Sequence, residues 1–145
     1  MMRILITIFL VALLVGCGEP LSMIPGGQLS GQIQPAPSTW ADVPETIQVE
    51  TRPSDPYSIN IWSVGIGPDL YISTGADGTT WSEFINTDSR IRARVGSNLH
   101  ELDATLITDQ VERSAVVAAY VAKYELDKDD NWVDKGLIFR LDRRR

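Results

Sequence analysis

The chain has 145 residues, of which 43% are hydrophobic, and this is enough for one globular domain with an ordinary core. Its 13 basic and 19 acidic residues give a formal net charge of −6, which argues against nucleic acid and against electrostatic docking to anionic lipid. A single cysteine, Cys17, excludes an internal disulfide, so the fold must depend on its core or on ligand or oligomer contacts.

The first residues have the pattern of a secretory signal. Met1-Met2-Arg3 is a basic start, and residues 4–15 form an apolar run that is too short to span a bilayer as a helix. The segment 1–16 is therefore predicted to be a signal peptide. Its end, Leu14-Val15-Gly16-Cys17, resembles the lipobox of bacterial lipoproteins.

The lipobox resemblance implies cleavage before Cys17 and acylation of that residue, so the lipid bilayer is a predicted partner. The domain would then lie outside the cytoplasm in the bacterial cell envelope. Stable anchoring needs more than one acyl chain, which this modification supplies. The alternative is a plain signal peptide or an anchor helix that happens to contain a cysteine. Without Arg3, the mature chain has 12 basic residues against 19 acidic ones, a net charge of −7.

Residues 17–37 have the composition of a flexible tether, because they are rich in Gly, Pro, Ser and Gln and carry almost no charge. Within them, residues 23–31 place apolar side chains among glycines, a composition that also suits a segment lying on the domain surface. Residues 38–145 are predicted to form the folded domain, with a short helical turn around Trp40 and Val43 after Ser38.

The first half of the domain predicts strands. Residues 46–51 alternate with Ile47 and Val49 directed inward, and the two prolines of residues 52–56 predict a loop. Residues 58–64 and 70–73 flank a Gly/Pro/Asp turn and predict a β-hairpin.

A short helix and the cleanest alternation in the chain follow. Thr80 and Glu83 have the capping-box spacing, which predicts a helix from Thr80 to about Thr87. Residues 90–95 then alternate, with Ile91, Ala93 and Val95 on one face and three arginines on the other. In residues 99–107, the shared face is formed by Leu102, Ala104 and Leu106.

Asp109 and Glu112 predict a second capped helix through about Glu125. From Ala115 to Ala122 it has no polar residue, so the helix must be covered nearly all round. Burial in the core and a homodimer contact through the 109–125 helix both remain open. Residues 132–141 predict the last strand, and Arg143-Arg144-Arg145 predicts a frayed terminus or a phosphate or partner contact.

This order of elements resembles the FMN-binding split barrels, which include pyridoxamine 5′-phosphate oxidase-like proteins and deazaflavin-dependent nitroreductases. The resemblance is carried by residues 70–75, 81–86 and 90–95 and extends over about 46–141. It implies a mainly β fold: a small antiparallel split barrel of about six strands, with a short inserted helix and one longer helix before the last strand. It also implies a dimer that binds a flavin or deazaflavin near its seam.

In such barrels the phosphate lies near the loop before the short helix and near basic residues. Here residues 74–80 supply backbone N–H groups, hydroxyls and a helix N-terminus, a suitable anion cradle. The loop departs from the pattern, because it contains Asp77 and no Lys or Arg. Three structural alternatives stay open: the glycines only serve a turn, the arginines form a solvated face, and Trp62 is a core residue. The predicted cofactor-binding residues are Trp62, Ser73, Thr74, Gly75, Thr79, Thr80, Trp81, Arg92 and Arg94.

No complete catalytic constellation is visible in the sequence. His100 is the only histidine, so no metal site is predicted, and no nucleophile-elbow motif occurs. Residues 127–130 lack the spacing of a calcium loop and predict a turn. Two functions remain. The first is a membrane-anchored split barrel that binds FMN or a deazaflavin in a redox role, an oxidoreductase if it is an enzyme. The second is a non-enzymatic ligand-binding or interaction module without a cofactor.

Overall fold

The computed structural model describes residues 19–129 and 132–145. The predicted signal peptide and Cys17 lie outside these residues. Within the described part, the chain forms seven strands and three helices. The strands are β1 (Gln32–Ile33), β2 (Thr46–Thr51), β3 (Tyr57–Ile66), β4 (Asp69–Ser73), β5 (Arg90–Val95), β6 (Asn98–Leu106) and β7 (Ile138–Arg143). The helices are α1 (Thr80–Thr87), α2 (Gln110–Tyr124) and α3 (Trp132–Lys135).

Six of the strands close into an antiparallel barrel. Their order is β6-β5-β2-β3-β4-β7, and β7 returns to pair with β6. The short strand β1 adds a parallel pairing to the start of β6. This confirms the predicted mainly β barrel with a short inserted helix and a longer helix before the last strand.

The barrel interior is the main core, and it follows directly from side-chain alternation along each strand. Ile47 and Val49 point inward from β2, as predicted, and Ile91 and Ala93 do so from β5. Gly65 lies where β3 passes Trp40. A Cβ there would stand 1.9 Å from the Trp40 carbonyl oxygen, so the close approach requires glycine.

A second apolar cluster lies outside the barrel, between α2 and the outer faces of β3, β4 and β7. Val116 and Tyr120 are the buried residues of α2 and face Val64, Tyr71 and Ile138. One face of α2 stays exposed in the single chain. This exposed stripe is formed by Val111, Ala115, Ala118 and Ala122. The homodimer contact predicted for this helix stays a prediction.

Residues 19–31, called the strap below, lie across the outer face of β5, β2 and β3. Leu29 is buried at 2% exposure, and Gly26 exchanges two backbone hydrogen bonds with Ser58 of β3, at 2.9 and 2.8 Å. The segment predicted as a flexible tether thus makes specific contacts with the barrel, because it carries its own buried side chain and backbone pairing. No helix in the described residues is long and apolar enough to cross a membrane.

Several local predictions were wrong. The cap of α1 is Thr79 with Ser82 at the third helical position, instead of Thr80 with Glu83. Ser82 holds this place because its hydroxyl reaches back to the Thr79 N–H at 3.1 Å. Residues 132–135 form a helical turn instead of strand, since Val133 is buried beneath α2. Leu106, at the end of β6, is 44% exposed.

The basic tail is also more ordered than a frayed end. Arg143 donates a hydrogen bond to the carbonyl of Pro68 at 3.1 Å. Arg144 donates to the carbonyl of Ile91 at 3.1 Å and to a carboxylate oxygen of Asp103 at 3.2 Å. Because both guanidinium groups donate hydrogen bonds to main-chain oxygens of the barrel, Arg143 and Arg144 are held against it.

Candidate functional site

The predicted anion cradle, residues 74–80, is closed by its own hydrogen bonds. Thr74 is 1% exposed, and its hydroxyl accepts from the Leu137 N–H at 2.9 Å and donates to the Gly75 carbonyl at 2.7 Å. The Thr79 hydroxyl accepts from the Ser82 N–H at 3.3 Å. Two of the predicted hydroxyls, those of Thr74 and Thr79, are therefore engaged in holding the loop and capping α1.

Trp81, the first apolar residue of α1, lies in the barrel core. It is 5% exposed, and its ring meets Phe139 edge to face at 5.9 Å between centroids. Thr80 is exposed at the start of α1, beside the exposed Gly75. Trp81 therefore lies in the core, whereas Gly75 and Thr80 lie on the surface.

Arg92 and Arg94 point outward from β5, as the alternation predicts, but both are paired inside the chain. Arg92 forms a two-pronged contact with Glu50, at 2.9 and 2.6 Å, and donates to the Leu29 carbonyl at 3.0 Å. Arg94 pairs with Glu19 and donates to the Ser30 carbonyl at 3.1 Å. The strap thereby supplies partners to both guanidinium groups.

Glu50 is the centre of this arrangement. It is 5% exposed, and besides Arg92 it accepts the Leu29 N–H at 2.6 Å. A buried carboxylate with a paired guanidinium and a backbone donor is a satisfied structural network. Arg90, the third arginine of β5, is different, because it pairs with Asp88 in solvent. The guanidinium beside Asp88 holds the pKa of that carboxyl at about 2.

A groove of about 500 Å³ lies on the outside of β2 and β3. Trp62 has 45% of its surface exposed there, which rules out the core-residue interpretation. Its indole stacks on Tyr124 with a centroid distance of 4.4 Å and an interplanar angle of 7°. This aromatic groove is lined by Ser22, Met23, Thr46, Asn60, Ile61, Trp62, Ser73 and Trp132, none of which carries a charge.

Helix α2 positions the aromatic groove. Tyr120 is 1% exposed and donates its hydroxyl to the Trp62 carbonyl at 3.0 Å. The Tyr124 hydroxyl accepts the Ser63 N–H at 2.9 Å. Burial raises the pKa of Tyr124 to about 12, and it raises the pKa of Tyr120 still further. The rear of the groove is therefore an aromatic wall that hydrogen bonds tie to β3.

Lys123, the residue before Tyr124 in α2, binds the same helix to the barrel through its ammonium group. Its ammonium donates to the carbonyls of Val43 and Ser63 at 2.8 Å each, and to that of Pro44 at 2.9 Å. Burial lowers the pKa of Lys123. These bonds tie α2 to β3 and to the entry of β2, which fixes the indole of Trp62 against Tyr124.

Of the nine predicted cofactor residues, the structure brings only Trp62 and Ser73 into this groove. Sequence reasoning missed Trp132, which lines the groove, and Tyr124, which stacks on Trp62 behind it. Tyr120 and Tyr124 lie one helical turn apart, so the sequence indicates that both rings are on the same side of α2. Only the packing of α2 on β3 shows that Tyr124 contacts Trp62. The aromatic ring of Trp132 lies 6.4 Å from that of Trp62.

His100 has a structural role. It is 6% exposed, its Nδ1 lies 3.0 Å from the Gln34 carbonyl oxygen, and its ring contacts Trp40 edge to face at 5.2 Å. Among residues 19–129 and 132–145, no group of three or more His, Cys, Asp or Glu is arranged to hold a metal ion.

Comparison with solved structures shows which barrel this is. A candidate pyridoxamine 5′-phosphate oxidase from Listeria innocua aligns over 70% of this chain and 86% of its own, with a TM-score of 0.56 and 11% identity. A FAD-binding protein from Mesorhizobium loti covers 70% and 81%, with a TM-score of 0.53 and 13% identity. The heme storage protein HutZ from Vibrio cholerae covers 70% and 82%, with a TM-score of 0.56 and 11% identity.

No protein-family profile matches the chain, and no curated protein matches it in sequence. At such low identity, the similarity to solved structures is one of fold. The closed order of six antiparallel strands agrees with it. The chain therefore has the split-barrel fold, as its sequence predicted.

Proposed function

We propose that this protein is a lipid-anchored protein of the bacterial envelope whose split barrel binds the ring of a flavin-type cofactor in the aromatic groove, in a redox role. One observation carries the cofactor part: Trp62 offers an exposed indole face in an uncharged groove, held rigid by stacking on Tyr124. Exposed, pre-positioned aromatic surface is the feature that planar ligands use for binding. The FAD-binding and heme storage proteins of the same fold support a planar ligand.

The two parts of a flavin nucleotide fit this chain differently. The ring fits, because the groove offers aromatic contact from Trp62 in a lining that contains no charged residue. The phosphate does not fit the predicted cradle, because Arg92 and Arg94 are paired with Glu50 and Glu19 and the hydroxyls of Thr74 and Thr79 are engaged within the loop. The proposal therefore concerns ring recognition. A bound flavin supplies the redox chemistry, and the protein binds and orients it.

Flavin titration tests this proposal. The full chain is purified and titrated with FMN and with riboflavin, which lacks the phosphate, while flavin fluorescence quenching is followed. Ring recognition predicts that both ligands bind equally well. Trp62→Ala is expected to weaken both by about 1–3 kcal/mol, roughly 5- to 150-fold, because one ring-stacking contact is lost.

Leu106→Ala is the matched control, since Leu106 is a similarly exposed apolar residue, at 44%, and does not line the groove. Its affinities should equal those of the natural chain. If neither flavin is quenched, the cofactor proposal fails. If FMN binds much more tightly than riboflavin, the phosphate is recognised and the groove assignment is wrong.

The alternative is a ligand-binding or interaction module that uses no cofactor. It is favoured by the internal pairing of Arg92 and Arg94, which leaves these two arginines committed to structure. Under this alternative, the natural chain quenches neither flavin, while Glu50→Ala still destabilises the fold. The two functions thus give opposite titration results with the same protein.

The anchoring part of the proposal is supported by the lipobox resemblance at Leu14-Val15-Gly16-Cys17. Cys17→Ser is expected to leave the protein unprocessed or to release it from the membrane fraction, because the acylated thiol is gone. Fractionation and the mass of the N-terminal peptide measure this. A Cys17→Ser chain that is still processed and membrane-bound would overturn the lipoprotein proposal without touching the flavin one.

A further inference from the structure

The strap carries an exposed apolar turn at its start. Leu21, Met23 and Ile24 are 66%, 93% and 66% exposed, and together they form the most concentrated exposed apolar surface of the described residues. We call residues 21–24 the apolar turn. Three adjacent apolar side chains on a protein surface commonly mark contact with a membrane or a partner.

The apolar turn is held in a defined conformation. The N–H and carbonyl groups of Leu21 and Ile24 bond to one another at 3.0 and 2.8 Å, which makes a tight turn. Asn60 of β3 donates its side-chain amide to the carbonyls of Pro20 at 3.2 Å and Ser22 at 3.1 Å. A backbone clamped to the barrel therefore keeps these apolar side chains in water, and contact with an apolar phase would bury them.

The position of the turn in the chain identifies that phase. Cys17 precedes Leu21 by four residues, which span at most about 14 Å when fully extended. Because the strap is bonded to the barrel from Glu19 onward, little free chain remains between an acylated Cys17 and the folded domain. An anchored barrel is thereby held with the apolar turn close to the headgroups of the bilayer.

The surface next to the turn also suits a membrane interface. Met23 and Trp62 line the same aromatic groove, and no residue of its lining is charged. Tryptophan is typical of the headgroup region, where its ring has an apolar body and a polar edge. The mature chain has a net charge of −7, so attraction to anionic lipid cannot bring it there, and the contact must be apolar.

We propose that the apolar turn inserts into the lipid headgroup region and seats the barrel directly on the bilayer, with the aromatic groove opening along the membrane surface. This inference rests on the anchoring proposed above and goes beyond it, because it replaces a flexible stand-off with a fixed orientation. A ligand of the groove then enters beside the headgroups.

A single fluorophore tests the contact. Since Cys17 is acylated in the mature chain and no other cysteine occurs, Met23→Cys creates one free thiol for an environment-sensitive fluorophore. Val111→Cys is the matched control, because Val111 is 81% exposed on α2, about 20 Å along the helix from Tyr124, which stacks on Trp62. Both full-length proteins are reconstituted in vesicles of phosphatidylethanolamine and phosphatidylglycerol that contain a lipid with a nitroxide on its acyl chain.

The expected result is a shift to shorter wavelength and nitroxide quenching for the Met23→Cys label, and no nitroxide quenching for the Val111→Cys label, whose wavelength also responds to the homodimer contact predicted for α2. If the protein is acylated and membrane-bound but both labels behave alike, the orientation is wrong and the anchoring stands. Cross-linking of Met23→Cys between two copies without lipid quenching would make the turn a self-association site and overturn the inference. An unacylated N-terminal peptide would overturn both the anchoring and the contact.

Discussion

Two outer faces of the same barrel differ in what covers them and in what they leave exposed. On the strap face, over β5, β2 and β3, the outward positions are charged or polar, and residues 19–31 supply their partners. On the helix face, the outward positions of β3 from Trp62 onward are mostly apolar or aromatic, and α2 covers them except at Trp62. On β7, the outward Arg140 pairs with Glu112 of α2. On one side of β3 the arginines are paired inside the chain, and on the other side the ring of Trp62 is exposed.

The difference shows where a ligand can be expected. A guanidinium that already has a buried carboxylate and a backbone carbonyl gains little from an external anion, because the internal pair would first have to be broken. An indole that is stacked on one side and exposed on the other has a free face. Charge on a strand is therefore a weaker guide to function here than incomplete burial of an aromatic ring.

The strap face should be the more sensitive to loss of one partner. Glu50→Ala leaves Arg92, whose side chain is 19% exposed, without its carboxylate, and it removes the acceptor of the Leu29 N–H. We expect the free energy of unfolding to fall by about 3–5 kcal/mol, the usual loss when one partner of a buried pair is removed. Urea denaturation followed by circular dichroism measures it.

Asp88→Ala is the control for that loss. It breaks the solvent-exposed pair with Arg90, whose side chain is 59% exposed, and exposed pairs contribute less than about 1 kcal/mol. Equal losses for the two variants would mean that the strap network is not the stabilising feature of its face.

The helix face should respond to loss of one hydroxyl. Tyr120→Phe removes the donor to the Trp62 carbonyl, and the expected destabilisation is about 1–2 kcal/mol because a buried acceptor is left unpaired. Tyr57→Phe, where the ring packs edge-on against Phe84, should change stability by less than about 0.5 kcal/mol. Thermal unfolding compares the two. A Tyr120→Phe chain as stable as the control would show that the hydroxyl does not hold Trp62 in place.

The helix face should also be the alkali-sensitive one. Burial raises the pKa of Tyr124 from its ordinary value of 10 to about 12. The unfolded chain releases this proton from pH 10 upward while the folded chain keeps it, so stability is complete below pH 10 and declines as pH rises towards 12. Tyrosinate absorbance and denaturation at several pH values measure this. Tyr124→Phe should flatten the decline, and an unchanged slope would assign it to other tyrosines.

The smallest effect on stability is expected on the exposed side of α2. Ala118→Glu lies in the exposed stripe and should alter the free energy of unfolding by less than about 0.5 kcal/mol in a single chain. The same charge would split a homodimer that packs on this stripe. Light scattering distinguishes the cases: a mass that falls from two chains to one supports the predicted contact, and a dimer that persists excludes this face from it.

Most of the fold was predictable because its signals are local and repeated. On a strand, the alternation of Ile91, Ala93 and Val95 places all three side chains on one face, so they are directed into the core together. Asp109 caps α2 as its spacing predicted, by accepting the Glu112 N–H at 2.9 Å. The cap of α1 moved by one residue because Thr79 and Thr80 both carry a hydroxyl, and local sequence does not choose between them.

The candidate site was less predictable because its residues come from distant parts of the chain. Trp62 and Ser73 were predicted through the resemblance to split barrels, but Met23 and Trp132 reach the groove from the strap and α3, and Tyr124 of α2 supports Trp62 from behind. The arginines of β5 were predicted to point outward, and they do. Their partners Glu50 and Glu19 are 42 and 75 residues away in sequence, and no local pattern indicates them.

Sequence alone determined most of the elements and their inward faces, because side-chain period and capping are properties of neighbouring residues, and the order of these elements resembled that of the split barrels. Tertiary structure decided which outward residues are free. Whether an arginine or a tryptophan is available to a ligand depends on what a remote segment packs over it, and here the strap closes one face while α2 leaves Trp62 open.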